Sequence, residues 1–102
     1  MYDIAIIGGG PAGLAAGLYG ARGGMDTVLL ENMLVGGQIT KTTQVDNYPG
    51  FSDGIDGFAI GTNMQKQAER FGLEIKRTGV DSVELEGEIK RLHCGREVTE
   101  AK

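Results

Sequence analysis

Six residues near the start of the chain, Gly8-Gly9-Gly10-Pro11-Ala12-Gly13, match the pattern G-x-G-x-x-G, and a carboxylate, Glu31, stands 18 residues beyond the last of them. Glycines at this spacing can hold a pyrophosphate. Gly8 permits a tight turn, and Gly10 has no side chain to keep a phosphate away from the backbone. Gly13 lets a helix pack closely against a sheet. An anion so placed would rest on a helix N-terminus, held by unpaired N–H groups and the positive end of the helix dipole. A carboxylate at the end of the following strand suits a pair of ribose hydroxyls. The combination reads as a dinucleotide site, and this local pattern serves FAD and NAD alike. Against it stands the plainer reading, in which the glycines serve only turn and packing and Glu31 is a solvated charge.

For that chemistry the motif must follow a strand and open a helix, and the flanking residues meet both demands. Residues 2–7, YDIAII, are short, apolar and rich in β-branched side chains, as in a strand of a parallel sheet buried on both faces. From Pro11 to Arg22 the chain is rich in alanine and leucine, with proline in the first turn and Gly23-Gly24 as the stop. Residues 27–30, TVLL, read as a second buried strand that ends at Glu31. Asp56 is the candidate N-cap of a second helix with Ile60, Met64, Ala68 and Phe71 on one stripe, closed by Gly72. Residues 73–76, LEIK, make a third parallel strand. Beyond Val80, three alternating stretches separated by Gly87 and Gly95 predict an antiparallel meander.

The segment between the second strand and the second helix, residues 32–56, carries glycines, threonines, amides and a Tyr-Pro-Gly-Phe turn, with little regular structure expected. A connection of that length in a small domain usually carries function. Gly36-Gly37 permits close backbone approach, and Gln38, Thr42 and Asn47 are neutral donors or acceptors. Loop capping would use the same amides and hydroxyl equally well. His93 and Cys94 are adjacent on an expected strand, so they point to opposite faces and make a poor nucleophile–base pair.

Composition narrows the classes further. Glycine supplies 18 of the 102 residues but proline only 2, with 40% hydrophobic residues, so the excess is neither collagen-like nor disordered. A net charge of −4 argues against nucleic acid or an anionic membrane as partner, and no apolar run reaches a membrane span. The single cysteine excludes an internal disulfide, a CxxC pair and a cysteine-rich metal site, and fits a cytoplasmic protein.

The stretch Gly36-Gly37-Gln38-Ile39-Thr40, followed by Asp46-Asn47-Tyr48-Pro49-Gly50-Phe51, is the most specific piece of the chain. Together with the glycine loop and its acid it resembles the N-terminal FAD half of the low-molecular-weight thioredoxin reductases, within the class II pyridine nucleotide-disulfide oxidoreductases. The likeness runs along all 102 residues. Peroxiredoxin-reducing flavoprotein subunits and thioredoxin-reductase-like ferredoxin–NADP reductases share parts of it. The resemblance implies an α/β fold: a three-layer Rossmann-like FAD-binding domain, with a parallel sheet plus an antiparallel β-meander, of which residues 1–102 are the N-terminal part.

By position, the resemblance implies that Gly8, Gly9, Gly10, Pro11, Ala12 and Gly13 hold the FAD pyrophosphate, with Glu31 and Asn32 at the adenosine ribose. Gly36, Gly37 and Gln38 would lie along the ribityl and flavin side, Thr42 and Asn47 would offer polar contacts, and the Val80 backbone would meet the adenine. The implied parent is a homodimer that passes electrons from NADPH through FAD to a protein disulfide and on to thioredoxin. This chain carries no CxxC and one dinucleotide fingerprint, so it is expected to be a non-catalytic fragment. The family's last parallel strand would fall after Lys102, and without it residues 2–7 should show an open apolar edge. A stand-alone nucleotide-binding module and a fragment of a ferredoxin–NADP reductase are the alternatives.

Overall fold

The computed structural model describes residues 1–102. Its order is β1 (Ile4–Ile7), α1 (Pro11–Arg22), β2 (Thr27–Leu30), a 3-10 turn (Gly37–Lys41), α2 (Gly57–Arg70), β3 (Glu74–Lys76), β4 (Ser82–Glu84), β5 (Lys90–Cys94) and β6 (Glu97–Ala101). The strands β1, β2 and β3 form a parallel sheet in the order β1-β2-β3, and β4, β5 and β6 form an antiparallel one.

The four residues of β2 are all buried, and their alternation divides the core into two. Leu29 faces the helices, in a cluster with Leu14, Ala21, Val35, Ala68 and Leu73. Val28 and Leu30 face the meander, where they meet Leu92 and Cys94. The result is three layers, helices on one face of the parallel sheet and meander on the other. Both faces of β2 are therefore dry, which is why its sequence shows no polar alternation.

Local signals place the helices where the sequence puts them. Pro11 opens α1. The Asp56 carboxylate caps α2 by accepting the Ala59 N–H at 3.0 Å, and Gly72 leaves the helical region with φ +105°. Gly87 and Gly95 turn the meander, also at positive φ. The meander separates His93 from Cys94 as expected. His93 pairs with Glu84 at the surface, while Cys94 is buried in the core.

Two expectations need correction. Strand β1 is not buried on both faces, because it is the edge of its sheet; its residues are half-buried and Ile7 is 56% exposed. Phe71 does not continue the buried stripe of α2. It caps the helix, exposed, with the guanidinium of Arg70 4.7 Å above its ring. The 32–56 connection has little regular structure, as expected, apart from the 3-10 turn and an antiparallel bridge between Val45 and Ile55, which closes residues 46–54 into a loop.

The expected apolar edge is present over Ile4–Ile7, whereas Tyr2 is covered by a parallel bridge to Ala101. Ile4, Ala5 and Ile7 line a cleft of about 320 Å³ with Val83, Leu85 and Leu92. Unpaired strand edges with apolar side chains recruit other chains. Sedimentation over a concentration series is expected to show self-association of this 102-residue chain, reduced by Ile7→Lys. Identical behaviour of the two proteins would remove the edge as the contact.

Candidate functional site

The C-terminal ends of three parallel strands open on one side of the sheet, where ligands of open α/β sheets bind. Three loops meet there: the glycine loop after β1, residues 31–36 after β2, and residues 77–80 after β3.

In the glycine loop, Gly8 turns the chain with φ +102°, and its N–H is tied to the Leu30 carbonyl at 2.9 Å. The helix start then lies against the loop itself. A Cβ on Gly13 would stand 1.9 Å from the Gly8 carbonyl oxygen. Gly13 is thus required by loop backbone more than by the sheet, whose nearest atom is Ile6 Cγ2 at 3.5 Å. The sheet-packing glycines come later in α1. Gly17 lies under Leu73, and Gly20 lies under Thr27 and Ile4.

The N–H groups of Gly10, Ala12 and Gly13 find no acceptor within the chain, and Pro11 has none to offer. They sit in the first turn of a 12-residue helix, where the dipole favours negative charge. A Cβ on Gly10 would meet nothing within 4 Å, so the space beside Gly10 is open. These features fit a pyrophosphate. Because Gly10 has φ −76°, alanine suits its backbone. Gly10→Ala is expected to fold with an unchanged melting temperature yet to bind ADP at least about tenfold more weakly, which calorimetry checks.

Gly9 behaves differently. Its N–H donates to Glu31 Oε1 at 2.8 Å and is not free for a ligand. Glu31 Oε2 accepts the Met33 N–H at 2.9 Å. These bonds, that from Met33 foremost, hold the Glu31 carboxyl below the usual carboxylate range. A depressed folded value means this contribution to stability is complete above the unfolded carboxylate range and is lost as pH falls through the folded value.

Asn32 packs its amide against Gly79, where a Cβ would come within 3.2 Å of Asn32 Cγ. The Val80 side chain joins the core on the meander side. Its own N–H and C=O take part in no backbone hydrogen bond, which leaves a polar edge beside Asn32.

The Gly36-Gly37 turn closes over the glycine loop. The Gly36 N–H donates to the Gly9 carbonyl at 2.7 Å, and a Cβ on Gly37 would lie 2.9 Å from Gly10 Cα. Glu31, Gly37 and Gln38 share a cleft of about 280 Å³ with Met33, Leu34 and Lys41. Thr42 and Asn47 are not part of it. They line a neighbouring cleft of about 370 Å³ with Ile39, Gln44, Val45 and Asp46. Tyr48 and Phe51 stack obliquely on each other, ring centroids 6.2 Å apart. The candidate residues thus form one group around the glycine loop and a second, exposed group on the loop beyond it.

Sequence reasoning passed over Met33, Gly57 and Gly79. Met33 contributes a backbone N–H, which no side-chain pattern announces. Gly57 and Gly79 touch residues far away in sequence, the first against the Ile39 and Thr42 carbonyls and the second against Asn32. The glycine in Thr-Gly-Val after β3 was the one available signal.

A strand, a glycine turn, a helix and a second strand ending in an acid define the dinucleotide-binding class of α/β domains. The chain belongs to the pyridine nucleotide-disulphide oxidoreductase family, whose model matches residues 2–101. It is 40% identical to a thioredoxin reductase of Mycolicibacterium smegmatis over 102 residues, all of this chain and 33% of that protein. With a thioredoxin reductase of Peptoclostridium litorale it shares 48% over 102 residues, 32% of that protein. The crystal structure of Lactococcus lactis thioredoxin reductase superposes with a TM-score of 0.95 at 36% identity, covering 100% of this chain and 33% of the other. A ferredoxin-flavin thioredoxin reductase of Clostridium acetobutylicum superposes at 0.87 with 30% identity, over 98% of this chain and 34% of that one. The chain therefore spans about a third of the length of the relatives it matches. No helix is long and apolar enough to cross a membrane.

Proposed function

We propose that this chain forms the adenosine and pyrophosphate end of an FAD site in a thioredoxin-disulfide reductase. The observation that carries this reading is the open array of N–H groups at Gly10, Ala12 and Gly13, with Glu31 and Asn32 one strand away. In it, the N–H groups of Gly10, Ala12 and Gly13 hold the pyrophosphate, Gly8, Gly9 and Pro11 shape the loop that presents them, and Glu31 and Asn32 take the ribose hydroxyls. The Val80 backbone meets the adenine edge. Gly36, Gly37 and Gln38 lie along the ribityl chain, with Thr42 and Asn47 at the flavin. The bound flavin would supply the electron-transfer chemistry, while the protein binds and orients it.

The parent would be a cytoplasmic homodimer that takes electrons from NADPH and delivers them through a protein disulfide to thioredoxin. This chain has a single cysteine, Cys94, buried in the core, so the disulfide is not among its residues. The likeness to a ferredoxin-flavin enzyme favours, as a second reading, a ferredoxin donor in place of NADPH. Competition among FAD, ADP, NAD and NADP for the purified chain tests the site. FAD and ADP should displace one another. A well-folded, colourless protein that takes up neither would overturn the proposal.

A further inference from the structure

The carboxylate of Glu31 is engaged by the backbone of the chain itself. Its oxygens accept two backbone N–H groups, from Gly9 in the loop after β1 and from Met33 in the loop after β2. Its own N–H is fixed to the Lys76 carbonyl of β3 at 3.1 Å. The side chain runs beneath Gly9, where a Cβ would stand 3.2 Å from Glu31 Cβ and 3.1 Å from Leu29 Cδ2. Gly9 is thereby pinned from below, and the Gly36 N–H takes its carbonyl. The N–H groups left unpaired are those of Gly10, Ala12 and Gly13, and a Cβ on Gly10 would meet nothing within 4 Å.

We propose that Glu31 is a positioning residue for the glycine loop, holding it in its anion-accepting form. The proposal rests on the nucleotide reading above and adds to it. Each carboxylate oxygen keeps a second lone pair, so a ribose hydroxyl can still bind while both backbone bonds persist. Glutamine cannot replace it. Two N–H donors face the two oxygens, and in Glu31→Gln one donor would face an amide NH2 instead. Lys41, in the facing 3-10 turn, lines the same cleft as Glu31.

Ribose contact and loop positioning separate in a ligand cycle. The affinities of ADP and 2′,3′-dideoxy-ADP are measured for the natural chain and for Glu31→Gln, with circular dichroism as the check on folding. A residue acting only through the hydroxyls leaves dideoxy-ADP affinity unchanged on substitution, and that result overturns the proposal. Positioning predicts that dideoxy-ADP also weakens in Glu31→Gln, by about tenfold, as expected when charge-assisted bonds to the loop are lost.

Amide resonances of the ligand-free chain provide an independent arm, which stands even if the variant unfolds or the natural chain binds no nucleotide. The Gly9 and Met33 amides should move together with one midpoint, below the ordinary carboxylate range. The Gly9 amide should also exchange more slowly than that of Gly10. Separate or absent titration, or Gly9 exchanging as fast as Gly10, would contradict the role. A natural chain that takes up neither ADP nor FAD overturns the nucleotide reading, and these amides then decide the positioning role alone.

Discussion

Gly13→Ala is expected to abolish nucleotide binding and to destabilise the fold at once. Its Cβ would stand 1.9 Å from the Gly8 carbonyl oxygen and 3.0 Å from the Gly8 carbonyl carbon. Both are backbone atoms, so no rotamer change relieves the clash. The helix start must leave the loop, which breaks the alignment of the Gly10, Ala12 and Gly13 N–H groups. Overpacking against immobile neighbours costs about 3 kcal/mol. In a domain of this size that lowers the melting temperature by roughly 12–24 °C. Thermal unfolding and ADP titration would both register it. A variant that melts normally and binds ADP would show that the loop is more pliable than its contacts imply. The contrast with Gly10→Ala is informative, because that Cβ enters open space and should remove binding alone.

Gly57→Ala should be comparably severe, although it lies outside the glycine loop. A Cβ there would stand 1.9 Å from the Ile39 carbonyl oxygen and 2.4 Å from that of Thr42, and the Gly57 N–H donates to the same Thr42 oxygen at 3.0 Å. Here the 3-10 turn is seated on the first turn of α2. Gly61 and Gly36 make a second close approach one helical turn on, with a Cβ on Gly61 3.2 Å from Gly36 Cα. Forcing the two apart is expected to destabilise by about 3 kcal/mol and to expose residues 37–56 to proteolysis. Nucleotide binding should fall only in proportion to the unfolded fraction. Unchanged proteolysis of that segment would count against this account of the turn.

The parts of the fold that were legible in the sequence are those set by local chemistry. Pro11, Asp56, Gly72, Gly87 and Gly95 each act within a few residues of themselves, and the elements they bound fall as expected. The glycine loop and Glu31 were legible because their spacing is a local record of strand, turn and helix. What escaped depends on partners distant in sequence. Gly20 and Gly61 look like poor helix residues until Thr27 and Gly36 are found against them. The exposure of Ile7 follows from strand order, which the family resemblance implied but the run of apolar residues itself does not reveal. The backbone duty of Glu31 was hidden because its partners are main-chain N–H groups. The division of Gln38 from Thr42 and Asn47 into separate clefts follows from the 3-10 turn, which the polar composition of the segment masked.

The central claim is that the first turn of α1 is an anion site shaped for the diphosphate of an adenine nucleotide. Amide chemical-shift mapping of the isotopically labelled chain during ADP titration tests it most directly. The account predicts saturable shifts concentrated at Gly10, Ala12 and Gly13, with smaller ones at Asn32 and Val80, and competition by FAD. Shifts absent from these amides, or confined to the exposed loop at residues 46–52, would contradict it.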